Sequence, residues 1–234
     1  MINITNKHLG QSAMQALVAS STIVSLLFVT FFLAEPTISH GQSDTSTFYI
    51  RQTITDESSF LVNPSNVTMA GDLNGVTGGN ATGTTDFVVQ SNNTAGYYVE
   101  IAFENNGTPE AMIGDVSASE AIRDYGSGLV EPSYGYTAST AAQFAYTVTS
   151  LTSGDTDASF KNNGAACNAG STQTAATCWK APDTAAFRIV DRSASAVTGA
   201  TSTIQFKVHV PSGAAPVPVA ETYTATATLS LFTK

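Results

Sequence analysis

The sequence predicts an all-β protein, an antiparallel β-sandwich with Greek-key character that follows an N-terminal signal peptide. Three observations support this prediction. Beyond residue 41, apolar and polar residues alternate with a period of two in one segment after another, which is the pattern of half-buried strands. Turn clusters rich in Gly and Asn separate these segments, as the strands of a sandwich require. One uncharged apolar stretch, residues 16–34, lies close to the N-terminus.

The apolar stretch has the organisation of a secretory signal peptide. It follows an N-terminus that carries Lys7 and precedes the small-x-small step Ser39-His40-Gly41. We therefore predict that residues 1–41 are removed and that the protein works outside the cell or on its surface. A stretch of this length also approaches that of a membrane anchor, but hydroxyl side chains dilute it and no basic cluster flanks it. No membrane association is expected after cleavage.

The clearest predicted strands are residues 97–104 and 204–210, where apolar side chains occupy every second position. In residues 222–232 threonines cover the polar face, which suits an exposed pleated surface. The other predicted strands are residues 47–55, 59–62, 67–69, 86–90, 144–149 and 186–190. A helix is an alternative only at residues 117–124.

Two long loops interrupt the strand pattern, at residues 114–139 and 150–183. Loops of this length in one domain often serve a contact surface, and a solvated decoration is the alternative. Residues 211–221 contain three prolines, which cannot join a central ladder. We interpret them as a stiff connection into the last strand.

The segment before the main domain, residues 42–58, is a candidate N-terminal strand. Phe48, Ile50 and Ile54 share one face of it, and Gln52 interrupts that face. In one role it is the first strand of its own sandwich. In the other it is a donor strand, which completes the sheet of a neighbouring copy through main-chain hydrogen bonds and places its apolar side chains in the neighbour's groove. The second role produces a head-to-tail fibre.

Composition limits the classes of function. Residues 59–234 are about the size of one domain, long enough to bury a core without a metal. The chain has 18 acidic and 9 basic residues, a net charge of −9, and its Lys and Arg are scattered singly. Binding to a phosphate backbone needs clustered basic side chains, so we expect no nucleic acid partner.

Cys167 and Cys178 are the two cysteines of the chain. An exported protein meets an oxidising compartment, so the sequence predicts a disulfide between them. A redox or metal-binding pair is the alternative, but it calls for CxxC spacing or a neighbouring histidine, which this stretch lacks.

The residues that usually carry catalysis are sparse. His209 is the one histidine beyond residue 41 and lies on the polar side of a predicted strand, and no serine lies in a G-x-S-x-G elbow. Glu100 and Glu104 are spaced along one strand face, too far apart for paired carboxylate chemistry. Turns at residues 71–75 and 154–157 offer oxygen ligands but do not complete a calcium-binding loop. We expect no enzymatic activity, no cofactor and no metal site.

Four asparagines, Asn66, Asn80, Asn92 and Asn106, each begin an N-x-[ST] sequon on or near a predicted turn. A chain this rich in Ser and Thr carries such sequons by chance. They are candidate glycosylation sites, and their use depends on the organism.

Residues 62–103 and 211–232 carry a resemblance to known proteins. The first range contains a P-S strand, a Gly-rich turn and the hairpin S-N-N-T-A-G-Y, and the second ends in ETYTATATLSLF. These motifs resemble secreted pilin-like and immunoglobulin-like β-sandwich surface proteins of bacteria. The resemblance implies an extracellular structural module. In pilin-like relatives it also implies polymerisation by an N-terminal donor strand, whose pattern Phe48, Ile50 and Ile54 match and from which Gln52 departs.

Together, these features predict a non-enzymatic subunit of an extracellular filament or pilus, built from copies of itself by strand donation. The alternative is a monomeric adhesin or carbohydrate-binding module at the cell surface. In that case Tyr125, Tyr134 and Tyr136 of the first long loop would stack on host or cell-surface glycans.

Overall fold

Strand pairing dominates the computed structural model, which describes residues 5–33, 46–105, 110–126, 132–136 and 140–234. The chain divides into two units, Met1–Thr53 and Ile54–Lys234. Helix α1 (Thr5–Leu33) belongs to the first unit, and the strands described below belong to the second.

Helix α1 covers the predicted signal sequence. Its Ala13–Phe31 part is long and apolar enough to cross a membrane, with a mean hydropathy of 1.8, and it is compatible with a signal peptide. Thr22 and Thr30 donate their hydroxyls to carbonyl oxygens of the preceding turn, so these polar side chains are satisfied within the helix. The predicted cleavage step at residues 39–41 lies outside the described residues.

The strands of the second unit form three sheets. An eight-stranded sheet has the order β1-β3-β11-β8-β6-β5-β12 with β2 also on β3, a three-stranded sheet has the order β10-β4-β13, and β7 pairs with β9. Two 3-10 helices, Ser153–Asp155 and Ala158–Phe160, follow β8. The strand bounds are β1 Ser58–Val62, β2 Leu73–Asn74, β3 Gly78–Ser91, β4 Tyr97–Phe103, β5 Met112–Gly114, β6 Ala121–Asp124, β7 Ser133–Tyr134, β8 Gln143–Ser150, β9 Cys178–Trp179, β10 Phe187–Arg192, β11 Ala196–Val210, β12 Tyr223–Thr224 and β13 Ala227–Thr233.

The two larger sheets share one hydrophobic core. Along β4 every second side chain is buried, so the alternation predicted for residues 97–104 is confirmed. Phe103 at the end of β4 contacts two rings of β8, with centroids 6.2 Å from Phe144 and 5.3 Å from Tyr146. Ile204 and Val208 of β11 lie in the same cluster. The core therefore lies where β4 faces β8 and β11.

The eight-stranded sheet is mixed, because β6 and β8 pair in parallel, with Arg123 opposite Gln143. All other described pairings between named strands are antiparallel. The predicted antiparallel architecture is therefore wrong at this pair. A parallel pair needs a long connection that returns the chain to the same end of the sheet, and residues 125–142 supply it. The helical alternative at residues 117–124 is also wrong, since β6 occupies its second half.

Two predicted strands differ in extent from the observed ones. Residues 46–57 form no strand, and the first strand of the sheet is Ser58–Val62. The predicted strand at residues 222–232 is divided, since β12 pairs with β5 of the large sheet whereas β13 pairs with β4 of the small one. The last segment therefore passes from one sheet to the other, which alternation along one strand cannot reveal.

The second long loop folds onto the core. Cys167 and Cys178 form the predicted disulfide, and Cys178 is buried in the main cluster together with Phe160. Arg192 of β10 forms an ion pair with Asp155 of the first 3-10 helix. The buried side chains of Phe160 and Cys178 thus tie this loop to the sheets.

We predict that replacing both cysteines with alanine lowers the free energy of unfolding by about 2–3 kcal/mol, because the bridge closes a short loop and restricts the unfolded chain. Urea unfolding of the exported protein with and without reductant measures this difference. Reduced wild type should match the double variant. Equal midpoints for oxidised and reduced wild type would contradict the prediction.

Candidate functional site

A groove with an apolar floor, mixed walls and a volume of ≈ 1060 Å³ lies against the core of the second unit. Its first wall is residues 64–75, which follow β1, and its second wall is residues 218–229, which lead through β12 into β13. Core side chains of five strands form its floor, among them Ile101, Phe103, Ile122, Phe144, Phe206 and Val208. Protein cores leave few voids larger than a water molecule, and ligand sites have volumes of about 300–1,000 Å³. The groove is large enough for an occupant.

The first wall runs beside β3 largely without pairing to it. Residues 64–69 lie in no strand and form no backbone–backbone hydrogen bond within the described chain. The Ser65 N–H donates instead to the hydroxyl of Thr85 at 2.8 Å. Val67 lies against Gly83, where a Cβ would collide with it. The predicted strand at residues 67–69 is therefore wrong. Residues 64–69 have no backbone partner in the described chain, whereas Ala70 and β2, later in the same wall, pair with β3.

The second wall is anchored at one carboxylate. Glu221 accepts hydrogen bonds from the backbone N–H groups of Val116 at 2.7 Å and Ser117 at 3.1 Å. Its other oxygen, Oε1, is buried and has no hydrogen-bond partner in the described chain. The wall ends in β13, which pairs with β4 on one side only. A free strand edge therefore borders the groove.

The predicted donor residues are solvent-exposed. The exposed fractions are 77% for Phe48, 87% for Ile50 and 82% for Ile54. Gln52 is exposed as well, and its side-chain amide donates to the carbonyl of Thr53 at 3.0 Å. Large apolar side chains exposed in series are uncommon on a soluble surface and mark an interaction site.

The tyrosines proposed for glycan stacking mostly contact each other. Tyr125 and Tyr136 are stacked with centroids 4.5 Å apart. Tyr125 donates its hydroxyl to the carbonyl of Gly135 and Tyr136 donates to that of Gln143, at 2.9 and 2.7 Å. Tyr134 keeps an exposed fraction of 39%. The described chain therefore presents one of the three rings, and no flat platform, to a sugar.

A lysine and a tryptophan complete this aromatic cluster. Trp179 meets Tyr136 edge-on at 5.5 Å, and the Lys207 ammonium lies 4.4 Å from the Tyr136 ring centroid. Burial lowers the pKa of Lys207. Burial, followed by the charge of Lys207, also lowers the pKa of His209, whose Nδ1 lies 2.8 Å from the side-chain oxygen of Asn80. This cluster stabilises one face of the sheet.

The sequon asparagines differ in their surroundings. Asn66 is exposed in the first wall of the groove, and Asn80 is exposed beside His209. The side chain of Asn92 is hydrogen-bonded to the chain that precedes β1. Asn106 lies outside the described residues.

Acidic side chains serve local structure where the structure describes them. No group of three or more His, Cys, Asp or Glu among the described residues is placed to hold a metal ion. Asp155 pairs with Arg192, and Asp157 accepts from the Ser159 N–H at 2.9 Å as the cap of the second 3-10 helix.

Two features of the second unit were not predicted from the sequence. They are the groove and the side-chain hydrogen bonds of Asn92 to the chain before β1. Most floor residues of the groove lie in predicted strands, but Ile122 lies in a predicted loop. The walls consist largely of segments outside the named strands, with β2, β12 and the start of β13 as their regular parts. The available signals were the prolines at positions 64 and 218, which remove N–H donors from the walls. For Asn92 the signal was its place in a turn, where asparagine side chains often bind backbone groups.

Three comparisons with known proteins found no match for this chain. No family model, no curated protein and no solved structure matches it. Its function therefore has to be inferred from its own residues.

A buried carboxyl group lies next to the floor of the groove. Asp124 of β6 is 8% exposed, and its neighbour Ile122 lines the groove. Burial raises the pKa of Asp124 to about 7, the hydrogen bond from the Ala111 N–H lowers it, and the charges of Glu110 and Asp183 raise it. The folded protein thus keeps a proton on this group between pH 4 and 7 that the unfolded chain loses.

We predict that the free energy of unfolding falls as the pH rises from 4 to 7, because ionisation of Asp124 is unfavourable only in the folded state. Asp124→Asn should remove this slope and gain about 1–2 kcal/mol relative to wild type between pH 4 and 8. Urea titrations across this range provide the measurement, with the exposed Asp72→Asn as control. The same slope in wild type and Asp124→Asn would rule the effect out.

We also predict that Tyr136→Ala lowers the free energy of unfolding by about 2–3 kcal/mol, since it removes the ring that joins the aromatic cluster. Tyr136→Phe keeps the ring, loses the hydroxyl bond and should cost only about 1 kcal/mol. Thermal unfolding distinguishes the two. Equal losses would show that the ring contacts contribute nothing.

Proposed function

We propose that the protein is a non-enzymatic subunit of an extracellular filament, exported by its N-terminal signal and polymerised by strand donation. Residues 48–54 of one copy occupy the groove of the next copy. The two larger sheets are interpreted as a β-sandwich of the immunoglobulin-like or pilin-like kind in which one strand position is open. The observation that carries the proposal is that one chain contains both a groove with an apolar floor and an exposed apolar segment of strand length.

The chemistry of segment and groove is complementary. Phe48, Ile50 and Ile54 alternate along an extended chain and can all face the apolar floor, and burial of each contributes roughly 1.5–3 kcal/mol. The backbone of the segment can pair with the first wall and with the free edge of β13. Pairing satisfies backbone groups that the single chain leaves without backbone partners.

The direction of the chain before β1 favours a groove on another copy. Residues 55–57 extend the pairing of β1 with β3 by one step, since the Asn92 N–H donates to the carbonyl of Glu57 at 3.2 Å. They connect to β1 at its first residue, Ser58. The groove begins at Pro64, beyond the other end of β1, which is about 17 Å away for a strand of this length. Residues 55–57 therefore join the second unit at the end of β1 that lies away from Pro64, which supports a groove on another copy.

We predict that the exported chain forms fibres and that Ile50→Asp raises the concentration needed for assembly by roughly a hundredfold or more, because it places a charge in the apolar groove. Thr53→Asp adds the same charge to the opposite face of the segment and should assemble as wild type does. Pelleting and negative-stain microscopy measure both.

A free peptide of residues 46–57 should compete for the groove and shorten the fibres. Two outcomes would overturn the proposal. One is a wild-type protein that remains monomeric at every concentration. The other is equal assembly by Ile50→Asp and Thr53→Asp, which would show that the apolar face of the segment does not enter the groove.

A further inference from the structure

The turn after β3 holds the chain immediately before β1. The side-chain amide of Asn92 donates to the carbonyl of Thr55 at 2.9 Å, and its side-chain oxygen accepts from the Glu57 N–H at 2.7 Å. The Asn92 N–H donates to the Glu57 carbonyl at 3.2 Å. One residue thus makes three hydrogen bonds to residues 55–57, the link between the donor segment and β1.

The same turn is fixed to the body of the domain. The buried Asn93 donates its side-chain amide to the carbonyls of Gly96 at 3.1 Å and Lys234 at 2.6 Å. The hydroxyl of Ser91 accepts from the hydroxyl of Ser58 at 2.8 Å and from the Asn93 N–H at 3.2 Å. Asn92 therefore projects from a turn that is anchored to β1 and to the end of β13.

We propose that Asn92 is a positioning residue for strand donation, which fixes the direction in which the donor segment leaves its body and so sets the stiffness of the joint between successive subunits. This inference rests on the proposed function, since the segment that it directs is the donor. The link of residues 55–57 spans at most about 10 Å. Bending of the fibre is therefore concentrated in this link. The three hydrogen bonds from Asn92 hold its backbone in one conformation against the conformational entropy of a flexible chain.

The order of the link is tested in a monomer that carries Ile50→Asp, so that assembly does not interfere. NMR order parameters of residues 55–57 should be about 0.85 in this background and fall below about 0.6 when Asn92→Ala is added. Asn92→Asp keeps the oxygen that accepts from Glu57 but loses the amide donor, and should lie between the two. Unchanged order in Asn92→Ala would overturn the proposal.

The stiffness of the joint is tested in fibres of the otherwise unaltered chain. Asn92→Ala should still assemble, but the persistence length measured in negative-stain images should fall roughly threefold, since two of the three hydrogen bonds are lost. Thr94→Ala is the matched control, because it removes the sequon that begins at Asn92 and leaves the hydrogen bonds intact. It should keep the wild-type stiffness. Equally stiff fibres of Asn92→Ala and Thr94→Ala would also overturn the proposal.

Failure of the proposed function has a different signature. If wild type forms no fibres, strand donation and the joint are both excluded, while the order of residues 55–57 in the monomer still shows whether Asn92 holds this link.

Discussion

The contact between β4 and the large sheet is the constraint on which the rest of the second unit depends. β4 lies at the centre of the small sheet with β10 and β13 on its two sides, and its inner side chains meet β8 and β11 across the core. Burial of these apolar surfaces is what holds two separate hydrogen-bonded sheets together. Where the chain beside β3 and before β13 leaves its regular pairing, the inner side chains of β4, β8 and β11 contribute to the floor of the groove, and Ile101, Phe144 and Val208 there are at most 2% exposed.

The sequence predicts best what depends on local pattern. Alternation placed the core side chains of β4, because every second residue of a half-buried strand faces inward. The pairing of Cys167 with Cys178 was predicted from their being the two cysteines of a chain with an N-terminal signal pattern. The parallel pair of β6 with β8 and the passage of the last segment between sheets depend on contacts between distant parts of the chain. No periodicity within one segment contains that information.

The donor segment and the groove also differ in how well the sequence predicts them. The apolar face of Phe48, Ile50 and Ile54 is contiguous in sequence and was recognised there. The groove gathers residues from Pro64 to Leu229, and much of each wall lies outside the strand ladders. Apart from prolines, no residue pattern in a sequence indicates that a segment stays outside a strand ladder. The hydrogen bonds from Asn92 to residues 55–57 join segments that are far apart in the chain. The sequence indicates only that Asn92 begins a sequon, which gives no sign of these bonds.

The antiparallel register of β1 on β3 has a mechanical consequence. Ser58 lies opposite Ser91 and Phe60 opposite Val89, so tension applied through residue 57 acts along the strand axis. Hydrogen bonds that lie across that axis are then sheared together and cannot open one after another. In the proposed fibre, tension would pass from β1 into β3. β3 pairs with both β1 and β11, and its pairing with β11 is the longest in the sheet.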